Sequence, residues 1–466
     1  GKTPQNKHRF LVMNMVLEHL SYPLSKPVKT SSLVLLRLAF GLIMFWEVIR
    51  YFLEGWVWEL YRHDQFHFKY LWFQWVEPLP PPWMTIVFLV TGLCSLLIVL
   101  GWFYRIATII FFVLYLYTFL IDKAYYNNHF YLIAIIAFLM MIAPLHRSYS
   151  LDAYFGRVTH EDHFPAFWLW LLRFPMTLGY VYGALAKIEP DWLSGKATGA
   201  LIGKGLEGSF LEAWVKLPSV SLFYAWSGLI FDLLIPFAVL WKPTRKIAFI
   251  CALLFHSHNY IVFKIGIFPL LALFLTTLYF EPEFPENLIP EWVKKRFSFL
   301  VKSPKRNPKN TISYLQPGKM LLSVLMILIV IQLTVPFRHL FYPGWTVWHE
   351  EGHWFAWRMM LRQKTTQVLI NATHPKTRET RYVELKDYLN DFQISKFAGT
   401  PNMVLQFAQH IRDLIRERAK FEPIITAQIM VSMNGREFVP MLDSKLDLSQ
   451  LENFEPAYNW VEPEKP

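Results

Sequence analysis

Ala166-Phe-Trp-Leu-Trp-Leu-Leu-Arg-Phe-Pro175-Met-Thr-Leu-Gly179-Tyr-Val-Tyr-Gly183-Ala-Leu-Ala-Lys187 is an apolar run as long as a bilayer-spanning helix. Pro175 marks a kink within it. Gly179, Gly183 and Lys187 recur at i, i+4, i+8 and therefore share one helix face. Two glycines at this spacing predict close approach by another helix inside a membrane. Lys187 then sits one turn above that contact, away from bulk water. A buried amine loses proton affinity because its charged form is poorly solvated, and a neutral lysine is a usable base. The competing reading is a lysine that snorkels to the headgroups and only ends the helix.

Outward from this run the same composition repeats. Of 466 residues, 54% are hydrophobic, with 40 Phe, 22 Tyr and 19 Trp. The chain reads as a polytopic α-helical membrane domain of about nine transmembrane helices, followed by a C-terminal β-rich soluble domain. The spans fall at about 31–53, 83–103, 106–121, 129–145, 166–187, 222–241, 247–262, 265–280 and 319–336. Three regions follow: 1–30, holding an amphipathic interfacial helix at 9–20; 31–338, the multispan domain; and 339–466, the soluble domain. The first residues lack a signal-peptide pattern, so the first apolar segment serves as the insertion signal.

The net charge of +11 raises nucleic acid as a partner, but the basic residues gather beside apolar runs. That pattern suits membrane topology, and nucleic acid is set aside. With a cytoplasmic amino terminus, the loops near 105, 147–157, 242–246 and 294–309 share that side. They are the more basic ones; the last holds seven basic residues and no acid between Lys294 and Lys309. The opposite side receives 54–82, 122–128, 188–221, 263–264 and the C-terminal domain. There, 365–371, 380–386, 425–432 and 436–441 read as strands and 400–420 as an amphipathic helix. Asn434-Gly435 signals a tight hairpin turn.

The topology gathers polar residues on the non-cytoplasmic side. Asn127, Asn128 and His129 open the fourth span, and Lys187 closes the fifth. His256, His258 and Asn259 end the seventh, and His339 and Trp348 follow the ninth. Ionisable groups inside a membrane are costly and point to function, so their convergence predicts a site. No metal is expected. His256 and His258, two apart, point to different helix faces, and no carboxylate or cysteine stands at ligand spacing. Cys94 and Cys251 are the only cysteines and build neither cluster nor disulfide framework.

Several segments together resemble the vitamin K-dependent γ-glutamyl carboxylases. They are Leu120-Ile-Asp-Lys-Ala-Tyr-Tyr-Asn-Asn-His129-Phe-Tyr-Leu132, Ala186-Lys187-Ile-Glu-Pro-Asp191-Trp192, Phe255-His256-Ser-His-Asn259 with Phe263-Lys-Ile-Gly266, Arg338-His339-Leu-Phe-Tyr-Pro-Gly344, and Trp348-His-Glu-Glu-Gly352 running into Phe355-Ala-Trp357-Arg358. The similarity spans roughly 25–450 in family order. It implies a membrane enzyme that couples oxygenation of reduced vitamin K, the hydroquinone, to its epoxide with carboxylation of a peptide-bound glutamate by CO2. O2 is the oxidant and the glutamate-containing protein or peptide the partner. The coupling has a physical reason: a glutamate γ-CH is too weak an acid for lysine or histidine, with solution pKa values of about 10.4 and 6.5.

Carried over residue by residue, Lys187 matches the base that deprotonates the hydroquinone. His129 matches a histidine of the epoxidation chemistry, with Asn128 beside it as donor; the plainer role for Asn128 is a helix cap. His256 and His339 match pocket histidines, and Asn259 stands with the former. Trp348 and Trp357 match aromatics near the glutamate site. Arg362 and Lys364 stand where the family places groups for the substrate carboxylate, Arg362 replacing a histidine of the animal enzymes. The chain ends at 466, as short bacterial members do, and no cysteine follows Cys251 to cross-link the two domains. Two alternatives stand beside this reading: a quinone epoxidase without carboxylation, and a non-enzymatic quinone or lipid transporter or scaffold.

Overall fold

The structure, a computed structural model, describes residues 24–296 and 315–465. The expected helix at 9–20 lies outside them, as does the basic run beyond Arg296. A helix stands at each expected span: α1 (Ser31–Leu53), α2 (Trp83–Leu100), α3 (Tyr104–Ile121), α4 (Asn128–Ile142), α5 (Ala166–Ala186), α6 (Pro218–Leu240), α7 (Arg245–Phe263), α8 (Phe268–Thr277) and α9 (Lys319–Thr334). Six are long and apolar enough to cross a membrane, α1, α2, α3, α6, α7 and α9, the last counted with its continuation to Phe341. This is a membrane protein, with six qualifying helices among the described residues where about nine spans were expected.

The other three fall short for identifiable reasons. α4 has 15 residues and stops at Ala143, whose extended backbone precedes Pro144. α8 has 10 residues and starts at Phe268, with Pro269 in its first turn. α5 has 21 residues, but Arg173, its tryptophans and its tyrosines dilute its apolar character. Arg173 is satisfied by capping α8: its Nε donates to Leu278 O at 2.7 Å. The turn expected at Arg105 lies earlier, where Gly101 and Phe103 take left-handed backbone. Asp152 then caps α3 by accepting from Phe103 and Tyr104 N–H, at 2.9 and 3.0 Å. A short ribbon not expected from the sequence, β1 (Pro27–Lys29) with β2 (His163–Pro165), ties the entry of α1 to that of α5.

The C-terminal region contains a four-stranded antiparallel sheet in the order β4-β3-β5-β6. Its strands are β3 (Lys364–Thr373), β4 (Thr380–Tyr382), β5 (Ile424–Met433) and β6 (Val439–Pro440). Helices α10 (Asp391–Phe397) and α11 (Pro401–Ala419) complete it. The apolar face of α11, with Val404, Phe407 and Ile411, packs with Ile370, Ile425 and Ile429 of the sheet into one core. The turn lies at Asn434-Gly435, both with positive φ (52° and 79°), closed by Arg436 N–H to Met433 O at 3.1 Å. β4 and β6 are shorter than expected. Pro440 confines β6 to the sheet edge, and after Val383 the chain leaves the sheet for a short helical turn at Leu385–Asp387.

Buried polar bonds hold this region on the helices. Asp122, 1% exposed, lies between α3 and α4. Its Oδ2 pairs with His67 Nδ1 at 3.0 Å and accepts from Gln393 Nε2 of α10 at 2.7 Å. Gln393 also donates to Phe66 O at 2.8 Å. Asn434 and Arg436 of the hairpin both bind Asp191, just past α5. Removing Asp122 strands buried donors, each costing about 1–3 kcal/mol. Asp122→Ala is expected to raise hydrogen exchange in α10 and the 62–68 segment, with little change in β3 and β5.

Candidate active site

Lys187 is the residue on which α5 ends. Its Nζ donates to Asp232 Oδ2, on α6, and both side chains are 7% exposed. The Trp192 ring lies beneath the ammonium, 5.2 Å from centroid to Nζ. The sequence analysis placed a lone, neutral amine here. The structure gives it a carboxylate partner instead. Sequence reasoning missed Asp232, though it is the one charged residue in the 23-residue α6. A single carboxylate in an apolar helix was the available signal.

The glycine face has a different neighbour from the one expected. A Cβ at Gly179 would stand 3.5 Å from the Trp357 ring. At Gly183 it would stand 3.1 Å from Met359 Cε and 3.4 Å from Asp232 Oδ2. The glycines thus make room for a segment of the C-terminal region and for the carboxylate, not for the backbone of another helix.

This segment roofs a cavity of about 220 Å³, lined mainly by α4, α5, α6, α7 and the 192–202 segment. Asn128, His129, Lys187, Asp232, His256, His258, Asn259, Trp357, Met359 and Met360 all contribute. Three of the four segments that the topology placed together meet here; the fourth, with His339 and Trp348, does not. His256 Nε2 lies 2.8 Å from Tyr180 Oη, and His256 Nδ1 and Trp357 Nε1 are buried with no partner among the described residues. His258 lines the same cavity despite standing two residues from His256. Asn128 does not cap α4. Its Nδ2 donates to Arg358 O at 3.3 Å and its Oδ1 accepts from Tyr126 Oη at 3.2 Å, joining α4 to the roof. Tyr180 and the two methionines were not foreseen; neither residue type carries a sequence signal of its own in so apolar a chain.

The other four candidates do not line the cavity. His339 Nδ1 binds Pro336 O at 2.7 Å, and Trp348 Nε1 donates to Glu462 O at 2.8 Å. Arg362 and Lys364 converge on Glu350. Arg362 Nε donates to Glu350 Oε1 at 2.9 Å and Lys364 Nζ to the same oxygen at 2.8 Å. Lys364 also donates to Trp348 O and Gly399 O, both at 2.7 Å. The cations assigned to a substrate carboxylate thus already hold an internal one. Burial alone would raise the Glu350 carboxyl, but Arg362 and Lys364 outweigh it and hold it well below the usual carboxylate range.

With a folded value below the unfolded one, Glu350 contributes stability that is complete above about pH 4.5 and lost as pH falls through the depressed value. Glu350→Gln is therefore expected to unfold more easily at neutral pH. The gap from wild type, read by thermal melts, should narrow as the pH falls through the acid range. A gap that is constant with pH would show that the carboxylate charge contributes nothing.

Residues 25–284 match the HTTM domain family, and residues 317–466 match the vitamin K-dependent gamma-carboxylase, lumenal domain. The chain belongs to the vitamin K-dependent gamma-carboxylase family. No solved structure matches it. For a member of this carboxylase family the two matches meet at the cavity: its walls come from the HTTM part and its roof, Trp357 to Met360, from the other. Membership points to vitamin K-dependent carboxylation as the activity and to vitamin K as a reactant.

Proposed function

We propose that the cavity oxidises reduced vitamin K with O2 to the epoxide and uses the base so generated to carboxylate a peptide-bound glutamate, as a peptidyl-glutamate carboxylating lyase. The observation that carries this is the convergence of Lys187–Asp232, Asn128, His129 and His256 in one apolar cavity. The fit is chemical. Few polar groups stand among aromatic and aliphatic walls, which suits a flat quinol with an apolar tail.

Asp232 takes the proton the pair shares, which frees Lys187 Nζ to accept the quinol hydroxyl proton; the ammonium so formed offsets the quinolate, and no net charge enters the apolar bundle. Asn128 donates to a quinol oxygen. His129 and His256, the latter oriented by Tyr180, hold the ring against Phe268. Trp357, Met359 and Met360 exclude water that would quench a strong base. When bound, reduced vitamin K with O2 supplies the base that takes the glutamate γ-proton. CO2 adds at that carbon, and the two oxygen atoms of O2 end in the epoxide and in water. The glutamate carboxylate docks on the Arg362–Lys364–Glu350 cluster, whose two cations exceed its one anion. The site and the C-terminal domain, 339–466, lie on the non-cytoplasmic side of the membrane domain, 31–338.

A second reading is the epoxidase without carboxylation. The engagement of Arg362 and Lys364 by Glu350 favours it, since it occupies the groups meant for substrate. One assay separates the readings: purified protein with reduced vitamin K, O2, labelled bicarbonate and a short glutamate peptide. Wild type is expected to form epoxide and labelled peptide. Lys187→Ala should lose both by at least about a hundredfold, as for a general base. Asp232→Asn should lower both rates while Lys187 remains. Epoxide without label would leave the epoxidase, and no epoxide from folded protein would leave a quinone or lipid transporter or scaffold.

A further inference from the structure

β3 is paired along its full length on one side only. There, all ten residues from Lys364 to Thr373 stand in register with β5. On the other side β4 covers Asn371–Thr373, and Val383 N–H donates to Ile370 O at 2.9 Å. Antiparallel strands turn the backbone groups of alternate residues to opposite neighbours. Ile370 faces the β4 side, so Val368 and Thr366 face it too. Among the described residues no strand stands beside them. Apart from its two sheet neighbours, α11 is the one described helix that packs substantially on β3, and it covers the face that buries Ile370 rather than the edge.

The free edge begins a short way along the chain from the candidate site. Thr366 follows Met360, a roof residue of the cavity, by six positions, a reach of at most about 21 Å. Arg362 and Lys364 stand at the near end with Lys396, which feels both Arg362 and Glu350. Three cations against one carboxylate leave a formal charge of +2 where the edge starts. Unpaired edges are templates for an added strand, and natural proteins blunt them unless they are used.

We infer that the edge of β3 at Thr366 and Val368 is the docking strand for an extended, acidic peptide, whose backbone pairs there while a glutamate side chain reaches toward Trp357 and the cavity. The inference rests on the carboxylase reading and adds how the peptide is held. Main-chain pairing needs no particular sequence around the glutamate, whereas the positive end selects acidic segments.

The test uses the full chain in detergent and a fluorescent glutamate-rich decapeptide, with affinity read by anisotropy. A series of peptides carries one backbone N-methyl group at each position in turn. Strand pairing predicts a period of two: methylation weakens binding about tenfold or more at alternate residues and little at those between. Thr366→Pro, which removes an outward N–H while sparing the β5 ladder, should weaken every peptide similarly. Losses at no position, or equally at all, overturn the inference, as does unchanged affinity in folded Thr366→Pro. So does a dimer that Thr366→Pro abolishes, which would assign the edge to a second copy. Absence of peptide binding also overturns it, while epoxide formation by the same wild-type preparation without peptide decides the quinone chemistry separately.

Discussion

The Lys187–Asp232 pair is the constraint on which the rest of the structure turns. An unpaired charge in the middle of a membrane helix costs about 2.5–3.5 kcal/mol even on the mildest scales. Breaking a buried pair by removing one member costs about 3–5 kcal/mol. The pair is tolerable only with close geometry and with water kept away. Gly183 supplies the first, because a Cβ there would press on Met359 Cε at 3.1 Å and touch Asp232 Oδ2 at 3.4 Å. Trp192 below and Trp357 beside Gly179 supply the second. The two glycines, read from sequence as a contact between helices, are better understood as the space in which a charge pair and its cover fit.

Polar stitching explains how a soluble region can be a reliable cover. Asp122 sits at the turn before α4, so the bonds that fasten α10 also fix the start of the helix that carries Asn128 and His129. Asp191 does the same after α5, where the 434–436 turn docks just past Lys187. Each anchor lies within a few residues of a cavity group. The Glu350 cluster works at the other end of the roof, holding 348–350 to the first residues of β3 through one carboxylate oxygen.

Much of this was legible in the sequence where one local signal decided the outcome. Apolar runs placed the helices, the strand readings at 365–371 and 425–432 fell on β3 and β5, and Asn434-Gly435 placed the turn. The convergence of Asn128, His129, Lys187, His256 and Asn259 followed from counting helices, since residues at the same end of antiparallel neighbours share a depth. What failed depended on partners far along the chain. Arg173 sits in α5 because α8 offers it carbonyls, and Asp232 sits in α6 because Lys187 is across from it. Each stands out as a charge in an apolar helix, but neither helix names the partner. Arg362 and Lys364 read as free cations because Glu350, 12 and 14 residues earlier, is brought back to them by a loop.

The roof has a consequence for how such proteins are inherited. Walls and cover come from two separately recognisable domain families, yet neither encloses the cavity alone. An HTTM part joined to a foreign partner would leave its ion pair open to water. Exchange of halves between relatives therefore succeeds only when the incoming 357–360 segment fits the hollow left by Gly179 and Gly183. The hollow at Gly179 and Gly183 is the record of the fit between the two parts.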